Sequence, residues 1–188
     1  MSPKPINNAI EIVRNYQNGV FPTEGDAISK ECVIFLNSVT NITNIVRQTK
    51  LPHEDVNIIV ADTEENRKLV RQIDEGFDIG SIPLEGEPHK MFTFCTSTAF
   101  AGCDFYSTCA STFVISDNKK VHTSIDIATE LVQIAGRQRL ACNPFRKTIV
   151  FIYNVDIGEG NADVYKEAIE QKLRKSEGLA EWKNSAPE

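Results

Sequence analysis

Five short, apolar-rich runs constrain this chain most. They are too unbroken for half-exposed strands and too short for core helices. The first, Glu31-Cys32-Val33-Ile34-Phe35-Leu36, has the pattern of a strand buried on both faces. Val56–Val60, Lys90–Thr96, Ser111–Ile115 and Lys147–Tyr153 read as four further strands along the chain. Segments of helical spacing lie between the runs. Ile6, Ile10, Val13 and Tyr16 predict a helix after Pro5, ended by Gly19 and Pro22. Asn37-Ser38 reads as turn and cap for a helix to about Lys50. Asp62 or Thr63 opens a charged helix to about Ile73, and Thr123 with Asp126 forms a capping-box pattern for a helix from Ser124 to about Gly136. A further helix is expected from about Asp163 to Lys175, before a frayed tail after Gly178 that holds Trp182 and Pro187. Strands alternating with helices predict one α/β domain over residues 1–188, with its core at about 30–175. The expected sheet is doubly wound and mostly parallel, with five or six strands, helices on both faces and right-handed crossovers. A chain of 188 residues buries roughly 70% of its unfolded surface, enough for such a core.

Composition narrows the function classes. No run of about 18 apolar residues occurs, so no membrane span is expected. Met1-Ser2-Pro3-Lys4-Pro5 lacks a basic start followed by an apolar core, so secretion is not expected. Five cysteines without a C-x-x-C pair suit reduced thiols in a cytoplasmic protein. His53, His89 and His122 are too dispersed to form metal spacing with them. Against 26 acidic residues stand 20 lysines and arginines, for a net charge of −6. A stand-alone nucleic-acid binder is usually basic, so any such role must be local or shared with another domain.

In open parallel sheets ligands bind beyond the carboxyl ends of the strands. Asn37-Ser38 follows the first run, and Thr96-Ser97-Thr98-Ala99-Phe100-Ala101-Gly102-Cys103-Asp104 follows the third. From its chemistry Asn37-Ser38 reads first as a helix cap, and Thr96–Asp104 reads either as a capped loop or as hydroxyls and Gly102 set against phosphate. Cys103 reads as a small buried filler, because no histidine is placed to activate it. Asp156–Asn161, with two glycines, reads as a turn. The third polar string is Gln133-Ile134-Ala135-Gly136-Arg137-Gln138-Arg139. On its helix Ile125, Ala128, Leu131, Val132 and Ala135 form the expected apolar stripe, while Gln133 and Arg137 share another face. Gly136 offers a break and Pro144 ends the helix, so Arg139 is expected to turn back beside Arg137. The pair reads either as a solvated helix end favoured by the macrodipole or as two guanidinium forks for phosphate.

These strings resemble a known family. Thr96, Gly102 and Asp104, at offsets zero, six and eight, match motif V of superfamily 2 helicases of the DEAD/DEAH type. Gln133, Gly136 and Arg137 are similar to the opening of motif VI, Q-x-x-G-R-x-x-R. Val33-Ile34-Phe35-Leu36-Asn37-Ser38 resembles motif IV. Order and strand-helix context agree over about residues 30–155. The resemblance implies a carboxy-terminal RecA-like lobe of an ATP-dependent helicase or translocase. In that family Asn37, Ser38, Thr96 and Ser97 would contact the DNA or RNA backbone. Gly102 and Asp104 would face the nucleotide's ribose side, with Gln133 and Gly136 shaping the motif VI loop. Arg137 or Arg139 would meet the γ-phosphate as the arginine finger.

The chain departs from the family pattern in three places. Ser97 stands where many relatives have aspartate. Leu140 stands where the second arginine falls, a shortened form similar to that of some viral origin-binding helicases. That leaves the roles of Arg137 and Arg139 exchangeable, and Arg146 or Lys147 could add charge. No G-x-x-x-x-G-K-[ST] phosphate loop occurs, and Asp74-Glu75 follows a helical, charged segment and not a strand. The resemblance therefore implies ATP with Mg2+ shared with an N-terminal RecA-like lobe of a longer protein, which holds the metal. The isolated chain is expected to be inactive. The competing expectation is a catalytically silent RecA-like module for interaction or regulation.

Overall fold

The computed structural model describes residues 4–100, 102–117, 119 and 123–154. The expected helix at 163–175, the tail after 178, the 156–161 loop and His122 lie outside them.

Each apolar run is a strand. β3 (Glu31–Leu36) lies at the centre of a five-stranded sheet, flanked by β5 (Phe92–Cys95) and β6 (Ala110–Ser116). β4 (Val56–Ile59) pairs outside β5, and β7 (Ile149–Tyr153) outside β6. All four pairings are parallel, with Ile34 opposite both Phe94 and Phe113. The order β4-β5-β3-β6-β7 reverses direction on either side of β3, the doubly wound arrangement expected of a RecA-like α/β fold. β3 to β6 are buried almost throughout, whereas the edge strand β7 is only half-buried and leaves Val150 exposed. Two short strands not expected from the sequence, β1 (Thr23–Glu24) and β2 (Ala27–Ile28), form a hairpin. Gly25 turns it at φ 57°, a conformation that favours glycine.

Helices cover both faces. On one, α1 (Pro5–Gln17), α2 (Val39–Thr49) and α3 (Glu64–Arg71) cover Ile34, Leu36, Phe92 and Phe94. Pro5 starts α1, where its missing N–H costs nothing, and Ala9, Ile10, Val13 and Tyr16 form its buried stripe. Ser38 caps α2 by accepting from Asn41 N at 3.3 Å. Thr63, rather than Asp62, caps α3 by accepting from Asn66 N at 3.2 Å. On the opposite face α4 (Glu130–Ala135) and the segment after β5 cover Val33, Phe35 and Val114. Among the described residues no helix is long and apolar enough to cross a membrane.

Two expectations about α4 are corrected. The helix begins at Glu130, not Ser124, because hydrogen bonds hold the chain before it in a non-helical course. Ile125 N donates to Ser116 Oγ at 3.0 Å and Thr123 Oγ1 donates to Asp117 O at 2.8 Å, tying this stretch to the end of β6. Asp126 Oδ1 then accepts from Ala128 N and Thr129 N, while Asp126 N donates to Glu130 Oε2. The acceptor that was expected inside the helix therefore forms the turn before it. The apolar stripe changes accordingly. Ile134 is 2% exposed and faces the core, Val132 is 56% exposed, and Ala135 faces solvent.

Beneath α1, Tyr16 Oη lies 3.0 Å from Ser29 Oγ, which donates to Glu31 O at 3.0 Å. Burial pushes the Tyr16 phenol well above its ordinary value. A raised folded-state value means the phenol stabilises the fold below the unfolded value, and the contribution is lost as pH rises. Tyr16→Phe is expected to cost about 1 kcal/mol at neutral pH. The gap from wild type should close above about pH 10, where only the unfolded wild-type phenol ionises freely. Urea unfolding at pH 7 and pH 10.5 checks both signs.

Candidate functional site

The polar strings fall into two groups. At the carboxyl ends of β3 and β5, which are sheet neighbours, Asn37 Oδ1 accepts a bond from Ser97 N at 3.3 Å. This bond joins the loops that carry Asn37-Ser38 and Thr96-Ser97. Ser38 is engaged as the helix cap. Thr96 is buried, with its N–H on Ile59 O at 3.1 Å and its hydroxyl 3.4 Å from that of Thr98. Ser97 remains exposed, at the start of a short 3-10 turn through Ala99.

The second group forms where residues 137–139 lie alongside Phe105. Phe105 N donates to Arg137 O at 2.8 Å, and Arg139 N donates to Phe105 O at 2.9 Å, a single parallel bridge. The helix has ended by then, so the expected shared face of Gln133 and Arg137 does not form. Gln133 is exposed on α4, and Arg137 belongs to an extended stretch. Extended geometry places residues i and i+2 on one side. Arg137 and Arg139 accordingly meet the same carboxylate: Asp104 Oδ1 is 2.7 Å from Arg139 Nε and 3.5 Å from Arg137 Nη1. Gln138 points the other way and is buried.

Burial differs within the cluster. The Arg137 side chain is 15% exposed and that of Arg139 48%. Arg137 Nε is buried without a hydrogen-bond partner among the described residues. Nearby, the Cys103 thiol is pushed up mainly by burial, with Arg137 drawing it down and Asp104 pushing it up. Gly102 is exposed, and a Cβ built there would meet nothing within 4 Å. Packing inside the chain therefore does not require glycine at this position.

Asp74-Glu75 lies in a turn beyond α3, where Asp74 Oδ1 accepts from Gly76 N at 3.0 Å. Among the described residues no three His, Cys, Asp or Glu side chains gather to hold a metal ion. Two arginines around one carboxylate suit an anionic phosphate edge, and they do not suit magnesium.

Sequence reasoning missed Gln138 and Asn143. Asn143 Nδ2 donates to Ala110 O at 3.1 Å and its Oδ1 accepts from Phe145 N at 2.9 Å. It thereby fixes the chain that returns below the arginines to the amino end of β6. Its position one residue before Pro144 was the available signal. Asn and Asp there often cap the following turn.

No protein-family model matches the chain, and no curated protein matches it either. The class that fold and site define is an α/β protein with a doubly wound parallel sheet and an arginine–carboxylate cluster on one face.

Proposed function

We propose that the chain acts as the second RecA-like lobe of an ATP-dependent helicase or translocase working on DNA or RNA. The observation that carries this reading is the meeting of Asp104 with Arg137 and Arg139. These are the residues at the end of the motif V resemblance and in the motif VI resemblance, 33 and 35 positions apart in sequence. The Asn37–Ser97 bond, between the motif IV and motif V loops, supports it.

ATP with Mg2+ supplies the phosphoryl chemistry in a cleft against a first lobe, which carries the phosphate loop and the metal. Arg137 and Arg139 neutralise charge developing at the γ-phosphate, and Asp104 holds their forks in position until then. Asn37, Ser38 and Ser97 line the face that tracks the nucleic-acid backbone, with Thr96 buried beneath it. Contacts confined to these loops are compatible with a net charge of −6. Cytoplasmic residence goes with this reading, as do five cysteines that are all unpaired.

A catalytically silent interaction or regulatory module is the competing reading. The absence of a phosphate-loop sequence from the chain favours it. ATP hydrolysis by this chain assembled with its first lobe separates the two. Arg137→Ala and Arg139→Ala should each cut nucleic-acid-stimulated turnover strongly, and wild-type rates in both overturn the motor reading. It also fails if neither the same polypeptide nor a copurifying chain carries a phosphate loop.

A further inference from the structure

An open pocket of about 430 Å³ lies beside the arginine cluster, lined by Ala135, Gly136, Gln138, Arg139, Arg146 and Lys147. Three of its six lining residues are cations and none is acidic. The chain folds Arg146 and Lys147 into a short 3-10 turn, Pro144–Lys147, opened by Asn143. That turn precedes β7, so the pocket sits toward the amino end of the sheet, away from the Asn37–Ser97 loops.

The three cations have spare capacity. Arg139 commits Nε to Asp104, which leaves the two terminal nitrogens of its fork. Neither Arg146 nor Lys147 has a side-chain hydrogen bond or ion pair among the described residues. The protein has six more acidic than basic residues, yet three cations line this pocket, and among the described residues the one carboxylate bonded to them is Asp104. Gln138 lines the pocket with them, but its amide does not reach into it. It is 6% exposed, and both of its side-chain amide atoms are buried without a partner among the described residues.

We infer that this pocket binds a terminal phosphate or polyphosphate group, using Arg139, Arg146 and Lys147. The clustering decides between phosphate types. A nucleic-acid backbone carries one charge per diester, spread along the strand, and is met by cations in a row. Cations gathered around one cavity match a group bearing two or more charges at a point, and the forks of Arg139 and Arg146 can each donate two parallel bonds to it. The two-lobe reading is not needed for this site, whose lining residues all belong to this chain.

Titration of the intact chain with inorganic tripolyphosphate, followed by calorimetry at low and moderate salt, tests the inference. Saturable binding is expected, weakened by added salt. Arg146→Gln and Lys147→Gln should each lower the affinity about tenfold, and Lys147→Glu more. Lys147 is exposed, so its variants should melt with wild type and exclude misfolding as the cause. Binding that is absent in wild type, or unchanged in all three variants, overturns the pocket. So does a short oligothymidylate that competes as well as tripolyphosphate, because the site would then read diesters. Failure here leaves the finger assignment intact, since that rests on hydrolysis by the joined lobes.

Discussion

Arg137→Ala, in the chain assembled with a phosphate-loop lobe, should lower nucleic-acid-stimulated ATP hydrolysis by about 10³-fold. That factor corresponds to roughly 4 kcal/mol of transition-state stabilisation, typical of a preorganised cation aimed at developing charge. Arg137 suits the role because its backbone is pinned to Phe105 and its guanidinium is largely buried. Little freedom is left to lose as the site closes. The fall should appear in kcat, with a smaller change in KM, because the interaction grows only as charge develops. Arg139→Ala should also lower turnover, and the larger of the two losses identifies the finger. Asp104→Asn is the informative companion. It keeps the shape of the side chain but removes the charge that holds both forks, so it should impair turnover less than removing a fork. An Asp104→Asn protein more damaged than Arg137→Ala would mean that the carboxylate itself contacts the ligand.

Phe35→Ala should destabilise the fold by about 3–5 kcal/mol, the range for truncating a fully buried aromatic ring. Phe35 is 1% exposed in the central strand. Its ring meets those of Phe100 and Phe105 edge-on, at centroid distances of 5.6 and 5.9 Å. The cavity would open under both site-bearing segments: the turn after Thr96 and the residue that bridges to Arg137 and Arg139. Thermal unfolding should move down by roughly 10 °C or more. Val132→Ala, on the exposed side of α4, should stay within about 0.5 kcal/mol of wild type. If Phe35→Ala melted like wild type, Phe35 would not be the support on which both segments rest.

The five strands and the order of helices between them were legible in the amino-acid sequence. A strand buried on both faces is mostly apolar, and the stretches Cys32–Leu36 and Val56–Val60 are, with Asn57 the polar residue inside the second. Helix starts were legible where a single cap decides them, as at Ser38. The start of α4 was not, because Thr123 and Asp126 carry capping residues that the fold uses otherwise. The bonds from Ile125 to Ser116 and from Thr123 to Asp117 cross to another element, and no local pattern announces them.

The candidate site divides in the same way. The sequence by itself determined which residue types stand where: a threonine-rich loop after β5, Asp104, and two arginines after a glycine. Only the tertiary structure decided that one carboxylate oxygen faces both arginines, that Gln138 is buried between them and the core, and that Arg146 and Lys147 close a pocket with Arg139. Helical and strand periods act within a few residues and can be read along the chain. The pairing of Phe105 with residues 137–139 spans more than thirty positions. It depends on how α4 and the segment before β6 pack on the face of the sheet, which no local pattern encodes.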